Sequence, residues 1–366
     1  MKKTGIVLLG ICLLLASLCG CSVGVIVPAD EPVHAGQLLR SVLALTCTVE
    51  DTNGEAFATS SGSAVIIDLT ENGGAYVLTN YHVVYDQNGD GPVCRSITAA
   101  PYGQEAGDGL PATYVWHASA YDIAVLYVAD LTARFPGASA VSLDAAGPAM
   151  GEEIFAVGNM QGQGICVRRG IVSREWESVR LPVSYQFADI GMGLIRFDAA
   201  VNVGDSGGAL FTEDGAFAGL INARRLDGGG GYAIPASFLR VPLEEVLATV
   251  ATSPTADVLT LGAGLREEGL RTVYEEKTGA LVTEYAVCVE EVAVGSVASV
   301  FLQKGDVLLS VSRNGEGRIG IDRLQTLEEL LLAVCEGDEL TWQYRRDGEE
   351  QTYVFTVSAA HIEIIK

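Results

Sequence analysis

The chain has 366 residues, enough for two or three domains of roughly 150 residues each. Hydrophobic residues make up 49% of it and charged residues 19%, a composition that supports buried cores and excludes an intrinsically disordered protein. The 46 acidic and 23 basic residues give a net charge of −23, which repels phosphate backbones and argues against a nucleic-acid partner.

The N-terminus has the features of an export signal. Lys2 and Lys3 precede an apolar run from Gly5 to Leu18. At 14 residues, this run is shorter than the roughly 20 residues of a membrane-spanning helix. We therefore predict a signal peptide over residues 1–20, and an uncleaved anchor remains the alternative.

The end of the predicted signal, Leu18-Cys19-Gly20-Cys21, resembles the lipobox of bacterial lipoproteins. The resemblance implies cleavage before Cys21 and a lipid on its thiol, which holds the protein on the membrane. Residues 21–37, rich in Pro, Gly and acidic side chains, are predicted to be an extended tether.

Metal and cofactor sites are not expected. After the signal, no two cysteines have the CxxC spacing of zinc or redox sites, and the four histidines show no ligand spacing. Five cysteines remain once the signal and Cys21 are set aside, and they are predicted to be free thiols in a core that needs no disulfides.

Residues 38–245 show the pattern of a β-barrel domain or a pair of barrels. Short apolar runs rich in β-branched residues alternate with Gly, Asn and Asp turns. The clearest predicted strands are 63–69, 75–79, 123–128, 154–157, 194–197 and 217–221.

The remainder of the chain is predicted to form a second, smaller domain. Residues 246–258 look like the end of a helix and a linker, because Ser253-Pro254 interrupts the pattern. Residues 259–358 contain strand-like runs and an amphipathic helix at 325–334, which indicates a small α/β module. Residues 359–366 are a C-terminal tail.

The first domain contains a candidate nucleophile. Gly204-Asp205-Ser206-Gly207-Gly208 places a serine between glycines immediately before an apolar run. Glycines permit a tight turn in which the backbone amides of Gly204 and Ser206 can converge on an oxyanion. The same residues also occur in ordinary loops, so the motif alone does not assign catalysis.

A serine hydroxyl requires a base to become a nucleophile. His82 directly follows the predicted strand 75–79, a rigid element that would position its imidazole. The other three histidines fit less well: His34 lies in the tether, His361 in the tail, and His117 has no comparable apolar frame.

The base in turn requires a group that orients it. Asp122 is the best candidate, because an acid at the head of an apolar strand is costly to bury unless a partner such as an imidazole N–H compensates. The alternatives, which also fit simple turn or edge roles, are Asp68, Asp86, Asp90 and Asp130.

The order His82, Asp122, Ser206 along the chain is that of the chymotrypsin-like two-barrel arrangement. It differs from the order in subtilisin-like and α/β-hydrolase folds. A serine esterase is disfavoured by this order and by the absence of a GxSxG motif around Ser206.

Seven segments carry a resemblance to one family and occur in that family's order: Ser61-Gly62-Ser63-Ala64-Val65-Ile66-Ile67, Leu78-Thr79-Asn80-Tyr81-His82-Val83, Asp122-Ile123-Ala124-Val125-Leu126, Val157-Gly158-Asn159, Gly170-Ile171-Val172-Ser173, Gly204-Asp205-Ser206-Gly207-Gly208-Ala209-Leu210 and Gly231-Tyr232-Ala233-Ile234-Pro235. On these segments the chain resembles the HtrA (Deg) family of trypsin-like serine proteases, from about residue 38 to the C-terminus.

The resemblance implies a mainly β protein whose protease domain, residues 38–245, is a chymotrypsin-like double β-barrel. It implies that Ser206 is the nucleophile, His82 the general base and Asp122 the group that orients the base. The amides of Gly204 and Ser206 would form the oxyanion hole.

The chain departs from the family pattern at three places. Asp205 stands where bacterial members usually carry Asn, and Ser63 replaces a common Gly. Met160-Gln161 replaces a loop that usually contains Pro. None of these changes removes a catalytic group.

The predicted substrate pocket is small and apolar. Ala200 lies six residues before Ser206, where trypsin-like enzymes of basic specificity place an acid. With Leu220 and Ile221, it predicts a preference for residues such as Val or Ala. Such a pocket discriminates by only about 1 to 3 kcal/mol per methylene, so broad cleavage of unfolded segments is expected.

Residues 259–358 resemble a single PDZ domain of the same family. The resemblance implies that the loop Thr260-Leu261-Gly262-Ala263 holds a peptide C-terminus through its amides while the peptide extends a sheet edge. The alternative is that this loop is only a glycine turn.

The leading hypothesis is an exported, membrane-tethered serine endopeptidase that acts on misfolded envelope proteins and is fed or regulated by the PDZ domain. It would lie on the outer face of a bacterial cytoplasmic membrane. A proteolytically silent chaperone or peptide-binding module is the alternative. Members of this family are commonly trimers, and no residue of this sequence by itself demonstrates one.

Overall fold

The structure is a computed structural model, and it describes residues 35–50, 56–85, 94–104, 108–144, 147–181, 190–275 and 280–365. The predicted signal peptide, Cys21 and residues 21–34 of the predicted tether lie outside this range. No helix of the described residues is long and apolar enough to cross a membrane.

The first part of the described chain is a closed, antiparallel six-stranded barrel in the order β1-β2-β3-β6-β5-β4. Asn72-Gly73 turns the chain between two of its strands, and Gly73 has the positive φ of 86° that a tight turn favours. Leu45, Ile66 and Leu126 fill the interior. The strands are β1 Val42–Glu50, β2 Ala56–Leu69, β3 Ala75–Thr79, β4 Ser96–Pro101, β5 Leu110–Ala118 and β6 Ile123–Val128.

Three single-turn helices accompany this barrel: α1 Ala35–Leu38, α2 Tyr81–Val84 and α3 Leu131–Arg134. The predicted strands 75–79 and 123–128 are confirmed at their predicted bounds. They are neighbours in the barrel, with Leu78 paired to Val125. This pairing brings the residues that flank them, 80–82 and 122, to one edge.

The second part is another closed, antiparallel six-stranded barrel, in the order β10-β11-β12-β9-β8-β7. Ile154, Phe197 and Ile221 are among the side chains of its core. The strands are β7 Glu153–Gly158, β8 Cys166–Leu181, β9 Ile190–Phe197, β10 Ala209–Thr212, β11 Phe217–Arg224 and β12 Gly231–Pro235. The helix α4, Ala236–Thr249, follows. The prediction of paired barrels is therefore confirmed.

The C-terminal part is an antiparallel sheet with one helix. The strands β14 Ala263–Glu275, β15 Ala280–Val292, β16 Val307–Arg313, β18 Glu339–Arg346 and β19 Glu349–Thr356 lie in the order β14-β15-β16-β18-β19, and β17 Ile319–Gly320 pairs with β16. The helix α5, Leu324–Leu332, packs Leu327 into a core with Trp342.

Two further strands lie where the sequence predicts a linker and a tail. β13, Ala256–Leu259, begins within the stretch 246–258, and β20, Ile362–Ile365, lies within 359–366. They pair antiparallel with each other, so these stretches close a small sheet beside the C-terminal module. No disulfide joins the five cysteines of the described residues, of which Cys47 and Cys94 are buried and Cys335 is exposed.

Candidate active site

His82 lies where the first barrel ends one of its strands. β3 stops at Thr79, and the chain then forms the single turn α2, whose second residue is His82. Tyr81 and Val83 on either side are buried in the barrel core, which fixes the turn and leaves the imidazole at the surface of the barrel with a side-chain exposure of 29%.

Asp122 precedes the neighbouring strand β6 and is 1% exposed. Its backbone is left-handed, with φ 52°, a conformation in which Asp and Asn are several-fold enriched. The carbonyl of Asp122 accepts hydrogen bonds from the Tyr81 amide at 3.1 Å and from Asn80 Nδ2 at 3.0 Å. The turn that carries His82 is thus bonded directly to the residue that carries the carboxylate.

The Asp122 carboxylate accepts two hydrogen bonds from His82. Oδ1 accepts the His82 backbone amide at 2.9 Å, and Oδ2 accepts Nδ1 of the ring at 2.6 Å. Because an ionised carboxylate only accepts, Nδ1 carries a proton, and in the neutral imidazole the lone pair is therefore on Nε2. This is the tautomer that a general base requires.

The pKa of His82 is raised by this pairing. Burial of the imidazole lowers the pKa of His82, but the charge of Asp122 and its hydrogen bond outweigh burial and raise the pKa above its ordinary value. Of the alternative acids, Asp68 lies in β2 and Asp130 precedes α3. Asp86 and Asp90 lie outside the described residues.

Asn222 connects the two barrels at this site, and no motif of the sequence predicted it. From β11 of the second barrel, its Nδ2 donates to Asp122 Oδ2 at 2.8 Å, and its carbonyl accepts Ser206 Oγ at 3.2 Å. Asn222 is 3% exposed. In the sequence, the sign of a special role for Asn222 was that it is the one polar side chain in the apolar run 217–223.

Ser206 lies in the loop between β9 and β10. The Ser63 amide of the first barrel donates to the Ser206 carbonyl at 2.8 Å, so this loop is bonded to both barrels. Gly204 and Gly207 adopt positive φ angles of 94° and 82°. A Cβ at Gly207 would lie 2.1 Å from the Ser63 carbonyl oxygen, so only glycine fits there.

The predicted pocket residues occupy different environments. Ala200 is exposed in the segment that leads to the serine loop. Leu220 and Ile221 are fully buried in β11, and Ile221 belongs to the core of the second barrel.

The predicted peptide loop lies at the start of the C-terminal sheet. Gly262 has a φ of 70°, and its carbonyl accepts the Ala293 amide at 2.9 Å, while the Leu261 carbonyl accepts the Ala298 amide at 2.9 Å. Because a trans peptide directs its N–H away from its carbonyl, the Gly262 and Ala263 amides point away from these bonds.

Comparison with known proteins gives two kinds of similarity. Residues 62–220 match a family model described as a trypsin-like peptidase domain. The chain is 29% identical over 315 residues to the serine protease Do-like HtrA of Bacillus subtilis strain 168. This aligned region covers 82% of this chain and 64% of that protein. The chain is also 26% identical over 295 residues to the periplasmic serine endoprotease DegP of Escherichia coli K12. This second aligned region covers 79% of this chain and 55% of DegP.

The solved structures add agreement in fold. A structure described as the HtrA-type protease AlgW with tripeptide superposes with a TM-score of 0.56 at 23% identity, over 90% of this chain and 96% of that chain. The chain spans less than two thirds of the length of the Bacillus subtilis and Escherichia coli relatives.

Proposed function

The chain belongs to the HtrA family of serine proteases, and from this premise we propose that it is an exported endopeptidase that cleaves unfolded proteins. The observation that carries the proposal is the hydrogen-bonded series from His82 through Asp122 and Asn222 to Ser206 at the junction of the two barrels. Histidine, carboxylate and serine are the three groups that acyl transfer by a serine requires.

The proposed reaction begins when Ser206 turns its hydroxyl from the Asn222 carbonyl to Nε2 of His82. The Oγ attacks the scissile carbonyl carbon as its proton passes to Nε2, and the peptide nitrogen then takes that proton and leaves. Water hydrolyses the acyl-enzyme by the same route in reverse. The amides of Gly204 and Ser206 stabilise the oxyanion at both stages.

The direct test is cleavage of reduced casein by the full chain purified in detergent. We expect fragmentation that a fluorophosphonate serine reagent stops, with one covalent label on a peptide that contains Ser206. A folded, disulfide-bonded protein of similar size should remain intact. Casein that stays intact, together with a chain that takes no label, would refute the proposal.

The proposed pocket of Ala200, Leu220 and Ile221 holds no acid. We expect chromogenic peptides ending in Val or Ala to be cleaved at least about tenfold faster, in kcat/KM, than the same peptides ending in Lys or Arg. Ala200→Asp should raise cleavage after Lys and Arg. Wild-type cleavage chiefly after Lys or Arg would refute this pocket.

We propose that residues 259–358 are a PDZ domain that receives peptide C-termini at Thr260, Leu261, Gly262 and Ala263. A Cβ at Gly262 would lie 2.2 Å from the Ser296 Cβ, so Gly262→Ala should distort the loop. We expect a peptide with an apolar C-terminal residue to bind the full chain, and Gly262→Ala to weaken that binding at least about tenfold.

The matched control is Gly269→Ala in β14, where an added Cβ meets nothing closer than 3.7 Å. The same peptide with an amidated C-terminus tests whether the carboxylate is recognised. Equal binding of the free and the amidated peptide, measured by calorimetry, would contradict the proposal.

We further propose that Cys21 carries a lipid that holds the enzyme at the outer face of the cytoplasmic membrane. Its sequence context supports the lipid, and the periplasmic location in the name of DegP supports an exported enzyme. Misfolded envelope proteins would be the substrates, and a homotrimer the assembly. Fatty-acid label that is incorporated equally by wild type and Cys21→Ser would contradict the lipid.

A further inference from the structure

The loop that carries the proposed oxyanion amides is held both by a group outside it and by a hydrogen bond within it. The Gln161 amide donates to the Val203 carbonyl at 2.7 Å, and the Gly208 amide donates to the Asp205 carbonyl at 2.8 Å. Each bond fixes one peptide plane, and the N–H on the opposite side of that plane is Gly204 in the first case and Ser206 in the second. Neither of these two amides donates to another group of the described residues.

Ser63 supplies a third contact from the first barrel. Its Oγ accepts the Asn159 amide at 2.8 Å and donates to the Gly204 carbonyl at 2.8 Å. Ser63 is fully buried. The hydroxyl therefore connects β2, the segment after β7 and the serine loop through one atom.

The fourth contact is an ion pair between Arg168 and Asp205. Arg168 Nη2 lies 2.8 Å from Asp205 Oδ1, and Nη1 lies 3.0 Å from Oδ2, which is the bidentate geometry. Asp205 has no exposed surface and the Arg168 side chain is 14% exposed. The Asn202 amide also donates to Oδ2, at 2.8 Å.

The fold makes room for this pair. Arg168 lies on β8 opposite Ala156 of β7, so its side chain spans β7 to reach the serine loop. A Cβ at Gly158 of β7 would lie 2.7 Å from Asp205 Oδ1, and glycine is therefore required at the point where the carboxylate rests.

A buried ion pair contributes little net free energy to folding. Desolvation of two charges offsets most of their attraction, and uncharged residues of similar volume often serve equally well. Asp205 lies between Gly204 and Ser206, so whatever fixes its side chain also fixes the two proposed oxyanion amides. The position of the Arg168–Asp205 pair beside these amides therefore points to a role in the serine loop and not in overall stability.

We propose that Arg168 is a positioning residue for the proposed hydrolysis, whose guanidinium holds Asp205 so that the Gly204 and Ser206 amides are set for the oxyanion before substrate binds. Ser63 and the Gln161 amide complete the same support. This inference rests on the proposed function, and it assigns to Arg168 a role that none of the sequence motifs indicated.

The test compares Arg168→Met, Arg168→Lys and the double variant Arg168→Met/Asp205→Asn in the full chain. For Arg168→Met we expect kcat on a Val-ending peptide to fall by about 10²- to 10³-fold, as when one oxyanion donor is lost. KM should change little, because the support acts on the transition state. Arg168→Lys, which restores the charge without the fork, should be intermediate.

The double variant separates positioning from charge compensation. It buries no unpaired carboxylate, so it should fold with a melting temperature near that of wild type. A folded double variant whose kcat stays at least about tenfold low would support positioning, whereas full recovery of kcat would overturn the inference. Arg169→Met is the matched control, because Arg169 is the next residue along β8 and pairs with Glu153 at the surface.

Hydrogen exchange gives a readout that does not depend on cleavage. The Asp205, Gly207 and Gly208 amides donate within the loop or to β11, and they should lose protection in Arg168→Met but not in Arg169→Met. Unchanged protection and unchanged kcat in Arg168→Met would overturn the inference. If wild type cleaves nothing, the proposed function fails, and the exchange experiment still decides whether Arg168 orders this loop.

Discussion

Ser206→Ala is expected to abolish casein cleavage, with kcat falling by about 10⁶-fold as in another serine protease that lost its nucleophile. Alanine offers no oxygen to attack the carbonyl, and His82 and the loop amides cannot form an acyl-enzyme without one. The measurement is the initial rate of casein fragmentation at equal concentrations of the two purified chains.

The substitution should leave the fold intact. Within the part of the chain that the structure describes, Ser206 Oγ makes one hydrogen bond, to the Asn222 carbonyl. The loss of such a bond costs about 0.5 to 1.5 kcal/mol. Ser142→Ala is the matched control, because the Ser142 hydroxyl lies in an exposed turn and, among the described residues, accepts only the Asp144 amide. Cleavage by Ser206→Ala at a rate near that of Ser142→Ala would mean that Ser206 is not the nucleophile.

Site residues that stand in a recognisable local pattern could be predicted from the sequence. His82 and Asp122 flank two apolar runs that look like strands by themselves, and Ser206 stands in a glycine motif. The pairing of β3 with β6 then places His82 and Asp122 at one edge, which the chain order alone already suggested. Local signals and a known topology were enough to predict these three as a catalytic set.

The residues that support them were not predictable, because their partners are distant in sequence. Asn222 lies 100 positions from Asp122, and Ser63 lies 141 positions from Gly204. Arg168 looks like one more charge in a strand until the barrel places it 37 positions away from its partner Asp205. Contacts of this kind follow from barrel closure, which no window of the sequence contains.

The three departures from the family pattern show the same limit. Ser63, Asp205 and the Met160-Gln161 segment are visible as unusual residues one at a time. The structure shows that all three contact the serine loop or lie within it. Their convergence is a property of the fold, and Arg168 joins it through its contact with Asp205.

Asp122→Asn is the second large expected effect, a loss of about 10⁴-fold in kcat with little change in KM. An asparagine tolerates the left-handed backbone at this position, so the turn should survive. Its amide nitrogen, however, must replace one of two oxygens that now only accept. At Oδ2 it would face Asn222 Nδ2 and donate to His82 Nδ1, which moves the imidazole proton to Nε2 and blocks the base.

The pH dependence of kcat/KM should also change in a definite direction in Asp122→Asn. The base must be neutral to act, so wild-type kcat/KM should fall as the pH drops through the pKa of His82, which Asp122 raises above its ordinary value. Removing the Asp122 charge leaves burial as the main influence, and burial lowers the pKa of His82. The acidic limb of the residual activity should therefore move to lower pH in Asp122→Asn.

Asp130→Asn is a demanding control for this result. Asp130 is also a left-handed aspartate of the first barrel, with φ 54°, and it is exposed before α3. The same chemical change at the same backbone conformation should leave kcat and the acidic limb where they are in wild type. An Asp122→Asn enzyme whose profile matches that of Asp130→Asn would show that the carboxylate does not orient His82, since a group that holds the base cannot lose its charge without altering the titration of that base.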